Sequence, residues 1–197
     1  DTELASFPCS YSTAENMLTR AQVTKNDTLL ITGASGGVGS AAIQLAKARG
    51  ARVIAIAGDK KQQSVRDAGA DQALVRGASL EAALGENSVD VVIDLVGGED
   101  WPELLTILTP FGRYAVSGAI AGPIVELDLR TLYLKDQRFL GCTVLDDGVF
   151  SRLVGLIEEG DIKPLLARSF ALESLSEAQA FFLDKQFTGK LVIDMAL

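Results

Sequence analysis

The order of apolar runs and helical patterns predicts an α/β fold: a doubly wound, parallel, six-stranded sheet followed by a strand–helix–strand tail. Three observations carry this. Short apolar runs alternate with amphipathic stretches between residues 28 and 158, the order that right-handed crossovers turn into a parallel sheet with helices on both faces. Val89–Val96 is a nearly continuous apolar run, as expected of a strand buried on both sides. Thr32-Gly33-Ala34-Ser35-Gly36-Gly37-Val38-Gly39 lies between an apolar run and an amphipathic stretch, the strand–turn–helix context in which small residues admit a dinucleotide pyrophosphate to a helix N-terminus.

The elements follow in order. Thr28–Thr32 reads as the first strand. Residues 38–49 form a helix with Val38, Ala42, Leu45, Ala46 and Arg49 along one face, ended by Gly50. Arg52–Ala57 is the second strand, 60–68 a helix stopped by Gly69, and Gln72–Val75 the third strand. Ser79 caps a short helix to Leu84. Val89–Val96 is the fourth strand, and Pro102 suits the first turn of a helix over 101–108. Pro110-Phe111-Gly112 reads as a turn before the fifth strand, Arg113–Ser117. Phe139–Leu145 is the sixth strand and Val149–Glu158 a helix. Beyond a boundary at Asp161-Ile162-Lys163-Pro164 come a strand (Leu165–Phe170), a helix (Leu175–Asp184) and a strand (Lys190–Asp194).

Composition narrows the function classes. The chain has 197 residues, 48% of them hydrophobic, and a net charge of −8, which argues against nucleic acid or an anionic membrane as partner. It contains no histidine, so histidine acid–base chemistry and histidine metal ligands are absent from it. Cys9 and Cys142 are too few for a disulfide framework. No stretch has the length of a membrane span and no signal-peptide pattern is found. The expectation is a cytoplasmic protein. The first residue is Asp1 rather than Met, and the chain is expected to be part of a longer protein.

Several segments together resemble a known family. They are Pro8-Cys9-Ser10-Tyr11-Ser12-Thr13-Ala14, the glycine-rich turn with Gly50-Ala51 after its helix, and Ala68-Gly69-Ala70-Asp71. They continue with Val91-Val92-Ile93-Asp94-Leu95-Val96-Gly97-Gly98, Phe111-Gly112-Arg113, Leu134-Lys135 and Phe187-Thr188-Gly189-Lys190-Leu191-Val192. Their order and spacing resemble the medium-chain dehydrogenase/reductase superfamily, within it the zinc-independent, zeta-crystallin-like quinone oxidoreductase group. The resemblance implies a Rossmann domain at 23–160. Residues 1–22 would then be a connecting segment, and 161–197 the return segment of a GroES-like substrate domain that this chain does not contain. It implies a parent enzyme that transfers hydride from NADPH to a quinone or an α,β-unsaturated carbonyl, with this piece inactive alone. Three other readings stay open: a non-enzymatic NADP-binding sensor or structural module, the enoyl reductase segment of a multifunctional synthase, and a zinc-type alcohol dehydrogenase of the same superfamily. The Thr32–Gly39 pattern also suits short-chain dehydrogenases, but these need Tyr-x-x-x-Lys, and the residues four after Tyr11, Tyr114 and Tyr133 are Glu15, Gly118 and Gln137.

The candidate cofactor contacts are Ser35, Gly36, Gly37 and Val38 at the phosphates. The family pattern places Ala57 at the end of the second strand, where an NAD site carries a carboxylate. Lys60, Lys61 and Arg76 lie around the same position and suit the 2′-phosphate of NADP. Lys60 and Lys61 also read as a solvated helix start, and Asp59 as either a helix cap or a ribose acceptor. Leu95, Val96, Ser117, Gly118 and Ala119 lie at carboxyl ends of strands, where doubly wound sheets bind ligands. The resemblance takes these to the nicotinamide ribose and ring, and Cys142 and Val144 to its carboxamide. Cys142 reads as a small buried residue rather than a nucleophile, and Asp94 as either a pocket residue under the cofactor or a strand-end acid bonded to neighbouring backbone N–H groups. Trp101, Phe181 and Phe182 read as core, and Lys190 as either a phosphate-side lysine or a surface charge. No catalytic residue or metal ligand is assigned. The resemblance also implies a homodimer paired through the sixth strand, which reads as an uncharged sheet edge.

Overall fold

A computed structural model describes residues 1–196. The elements are α1 (Thr2–Ala5), α2 (Pro8–Arg20), β1 (Thr28–Ile31), α3 (Gly37–Ala48), β2 (Arg52–Ala57), α4 (Gln62–Asp67), β3 (Gln72–Val75), α5 (Leu80–Leu84), β4 (Val89–Asp94), α6 (Trp101–Ile107), β5 (Leu108–Val116), α7 (Leu129–Leu134), β6 (Arg138–Gly141), α8 (Val149–Glu159), β7 (Leu166–Ala171), α9 (Leu175–Asp184) and β8 (Lys190–Asp194). The first six strands form one parallel sheet in the order β3-β2-β1-β4-β5-β6, and β7 and β8 pair in a second sheet. This is the doubly wound Rossmann arrangement expected from the sequence. The order reverses between β1 and β4, so a crevice opens beyond the carboxyl ends of the strands at that point.

Strand alternation divides the core. Leu29, Ile31, Val53, Ala55, Val91 and Ile93 face one side, packing with residues of α2, α3 and α8. Leu30, Ile54 and Val92 face the other, against Leu80, Trp101, Leu104 and Leu105. Successive residues of a strand point to opposite faces, so a centrally placed apolar run feeds both layers.

Residues 1–22, expected as a connecting segment, contain α2, which the sequence pattern did not reveal. Its Tyr11, Ala14, Met17 and Leu18 belong to the first core layer. Two of its polar side chains reach distant parts of the chain. Glu15 accepts from Arg49 at 2.7 Å, and Tyr11 donates to the Lys163 carbonyl at 2.7 Å. The helix α7 was likewise not expected.

Several strand boundaries shift by one or two residues, as where β4 ends at Asp94 rather than Val96, and two differ by more. Pro110-Phe111-Gly112 does not precede the fifth strand but bulges within β5, where the pairing to β4 shifts register and Phe111 takes φ +61°. The sixth strand ends at Gly141, not Leu145. Asn16 captures the chain beyond it: its side-chain amide donates to the Val144 carbonyl at 3.1 Å and accepts from Asp146 N–H at 3.0 Å. Those bonds pull residues 144–146 toward α2 and off the sheet edge.

Candidate nucleotide-binding cleft

The glycine-rich turn is shaped by close backbone approaches. Gly33 has φ +57°, a region open to glycine and costly for most side chains. A Cβ at Gly39 would sit 2.6 Å from Ala34 Cα, so only glycine lets α3 pack against the loop that feeds it. Gly36 precedes α3 without a side chain to bond the first-turn N–H groups. Those groups and the helix dipole are left to face an anion. Lys190 crosses the start of α3: its Cδ would lie 3.1 Å from a Cβ at Gly37.

A cleft of about 970 Å³ opens above this turn. Ser35, Gly36, Gly37 and Val38 form its floor, Leu95, Val96 and Ser117 line one side, and Lys60, Lys61 and Arg76 line the other. The remaining expected contacts are not on its wall. Ala57 is fully buried, but its carbonyl accepts from Arg76 N–H at 2.9 Å and from the Gln62 side chain at 3.1 Å, and so fixes both flanks of the cationic corner. Gly118 packs on the Leu95 backbone, where a Cβ would come within 2.6 Å of the Leu95 oxygen. Ala119 lies beside Gly97. Cys142 is buried, with a thiol that burial pushes above its ordinary pKa, and Val144 is exposed outside the cleft.

Asp94 is buried at the mouth of β4. It accepts from Thr32 Oγ1 at 2.6 Å, from Tyr114 OH at 2.5 Å, and from the N–H groups of Val96 and Gly97 at 2.9 and 3.1 Å. The backbone bonds of a strand-end acid are present, and Asp94 also lines the cleft: the carboxyl group ties Thr32, just past β1, and Tyr114 of β5 to the turn that carries Leu95 and Val96. Asp59 makes no helix-capping bond; it opens a tight turn, Asp59–Lys61, and faces the cleft.

The cationic corner has a contribution that sequence reading missed. Phe182, Lys185, Gln186, Phe187 and Gly189 of the tail also line the cleft. Phe182, expected in the core, is half exposed, and Lys185 lies 3.7 Å over its ring. Trp101 is core as expected. Among the described residues none of Lys60, Lys61, Arg76 and Lys185 is ion-paired. Lys61 donates to the Phe187 carbonyl at 2.6 Å. Burial lowers its pKa from 10.5, and the like charges of Arg76 and Lys185 lower it further.

Residues 37–159 match the zinc-binding dehydrogenase family. The chain belongs to that family. It is thereby a member of the medium-chain dehydrogenase/reductase superfamily, as the sequence resemblance implied. It is 34% identical over 188 residues to acryloyl-coenzyme A reductase of Metallosphaera sedula, covering 94% of this chain and 56% of that protein. It is 34% identical over 210 residues to quinone oxidoreductase-like protein 2 of Bos taurus, covering 98% of this chain and 60% of that protein. A solved structure from Sinorhizobium meliloti 1021, assigned as an alcohol dehydrogenase, is 50% identical with TM-score 0.91, covering 97% of this chain and 55% of that one. This dehydrogenase-family chain thus spans a little over half the length of these proteins.

The family's name refers to zinc. Among the described residues, no group of three or more His, Cys, Asp or Glu side chains is placed to hold a metal ion. Among the same residues, no helix is long and apolar enough to cross a membrane.

Proposed function

We propose that this chain is the NADP-binding part of an oxidoreductase that moves hydride from NADPH to the electron-poor carbon of an α,β-unsaturated carbonyl compound or a quinone. The observation that carries the cofactor choice is the unpaired group Lys60, Lys61 and Arg76 on one side of the cleft, in a chain of net charge −8. Cations concentrated on an otherwise acidic protein, with no carboxylate at Ala57, suit a dianionic 2′-phosphate rather than a free ribose hydroxyl. The substrate class is supported by the relatives, one named for an acryloyl thioester and one for quinones.

The residues fit the cofactor along its length. The turn Ser35–Val38 and the uncapped start of α3 would take the pyrophosphate. Leu95, Val96 and Ser117 would flank the nicotinamide half, with Gly118 and Ala119 shaping the loop behind. When bound, NADPH supplies the hydride. The chain's own residues hold the ring and keep water from its apolar side, and Asp94, fixing the Val96 and Gly97 N–H groups, sets the position of that wall. We assign residues 23–160 as the Rossmann domain. On the same reading, 1–22 lead into it and 161–197 return toward a substrate domain that supplies the other half of the pocket. Two copies pair through β6.

Calorimetry tests the cofactor assignment. NADPH binds more tightly than NADH, and the preference is lost in Lys61→Ala and Arg76→Ala; equal affinity of the unaltered chain for both cofactors refutes it. NADPH oxidation with enones and quinones tests the reaction. Turnover is negligible in the 197-residue chain and measurable in a protein that carries a substrate domain.

A further inference from the structure

We propose that Lys185, brought to the cleft by the tail, is a specificity-determining residue for the 2′-phosphate, so that cofactor selection and docking of the tail loop are a single event. This rests on the NADP reading above.

The tail loop 185–189 is pinned to the Rossmann side by three bonds. Lys61 donates to the Phe187 carbonyl at 2.6 Å. The Ser64 and Thr188 hydroxyls meet at 2.9 Å. Gly189 N–H reaches the Ser35 carbonyl, within the phosphate turn itself, at 3.4 Å. Phe187 is stacked on Phe181 at 5.5 Å, so the loop is backed by the tail's own aromatic cluster.

Lys185 ends α9 in the left-handed conformation, φ +56°. A lysine there is unfavourable relative to glycine or asparagine, so glycine would serve better if only a helix stop were needed. The lysine instead lies with its ammonium over Phe182, and both line the cleft. The positive charges come from separate parts of the chain: Lys61 from the turn before α4, Arg76 from the end of β3, and Lys185 from the tail. Arg76 and Lys185 both act on the Lys61 ammonium as like charges, so the three converge on one corner with no described ion pair to offset their repulsion. An anion that bridges them removes that repulsion and ties the tail to the sheet. A ribose hydroxyl does neither.

The probes are 2′,5′-ADP, which carries the 2′-phosphate without nicotinamide, and 5′-AMP, which lacks it. Lys185→Ala weakens 2′,5′-ADP about tenfold, the scale of one partly screened charge-assisted contact, and leaves 5′-AMP unchanged, while Lys185→Arg retains both affinities. In the unaltered protein, 2′,5′-ADP slows amide hydrogen exchange at residues 186–189 and 5′-AMP does not. Unchanged 2′,5′-ADP affinity in Lys185→Ala, with loss in Lys61→Ala or Arg76→Ala, overturns this inference and leaves the NADP reading standing. Equal losses for both probes in Lys185→Ala also overturn it, as a merely structural loop would give that result. Failure of the unaltered protein to bind 2′,5′-ADP removes the NADP reading and this inference together.

Discussion

Tyr114 on β5 donates its hydroxyl proton to Asp94 on β4 at 2.5 Å, with both side chains buried. Burial, and then the Asp94 hydrogen bond and charge, push the Tyr114 pKa well above its ordinary value of 10.0. The phenol therefore remains a donor to Asp94. Asp94 gathers donors from Thr32 just past β1, from β5 and from its own turn, which makes it a structural node under the cleft.

Breaking that node has graded effects. Tyr114→Phe removes one donor and costs about 1–3 kcal/mol. Asp94→Ala strands the Tyr114 and Thr32 hydroxyls and two N–H groups, and costs more than about 4 kcal/mol. Asp94→Asn lies between, because its amide places a donor among donors. Urea unfolding measures all three. Equal stability of Asp94→Ala and Tyr114→Phe would show that the node is not cooperative.

Gly39→Ala places a methyl group 2.6 Å from Ala34 Cα. The turn must open, so nucleotide affinity falls at least about tenfold and thermal stability drops, since backbone cannot yield as a side chain can. Gly155→Ala is the control. It lies inside α8 with nothing within 4 Å of the added carbon, and it should stabilise by about 0.5–1 kcal/mol with affinity unchanged. Calorimetry and a thermal melt on both variants decide this prediction, and retained affinity in Gly39→Ala is the contrary result.

What the sequence made legible follows from where the determining forces act. The ends of β2 and β3, the extent of α9 and β8, and the strand–turn–helix around Gly33–Gly39 are set by local hydrophobic periodicity and turn chemistry. The helix α2 was hidden because its buried positions include Ser10, Ser12, Glu15 and Asn16. Their partners, Arg49 for Glu15 and the Val144 carbonyl for Asn16, lie 34 and 128 residues away, and no local pattern reports them. The same Asn16 shortens β6. Phe182 reads as core and Lys185 carries no reading, since only the packing of the tail beside the phosphate turn brings them to the cleft.

Lys61 gives the site a pH signature. Its pKa lies below 10.5 because of burial and the charges of Arg76 and Lys185, and Asp59 on its own turn and the Phe187 carbonyl complete its surroundings. The protonated form binds phosphate. Affinity for 2′,5′-ADP therefore falls as pH rises toward 10.5, earlier than an ordinary lysine would cause. Lys61→Arg, with a side chain that stays charged, flattens the decline. The contribution of Lys61 to unliganded stability has the opposite slope. The folded chain disfavours the ammonium, so the unfolded state holds more protons between the two pKa values and stability rises with pH there. Parallel slopes for affinity and stability would contradict this assignment.

The proposed dimer depends on which N–H groups β6 leaves free. Cys142 N–H donates inward to the Val116 carbonyl at 2.9 Å. Backbone groups alternate along a strand, so Gly141 and Phe139 turn theirs outward from the last strand of the sheet. Just past the strand, Val144 and Leu145 are exposed. An uncovered edge of this kind pairs with its own copy across a twofold axis, which satisfies both sets of free groups and closes the assembly. Gly141→Pro removes one outward donor without taking an N–H from the β5–β6 pairing, and nothing lies within 4 Å of a Cβ placed at Gly141, so the pairing is lost, and circular dichroism checks that the fold is kept. Sedimentation at micromolar concentration should give a dimer for the unaltered chain and a monomer for the variant, with matching circular dichroism. A monomer in both cases excludes edge pairing, and a dimer in both cases moves the interface elsewhere on the surface.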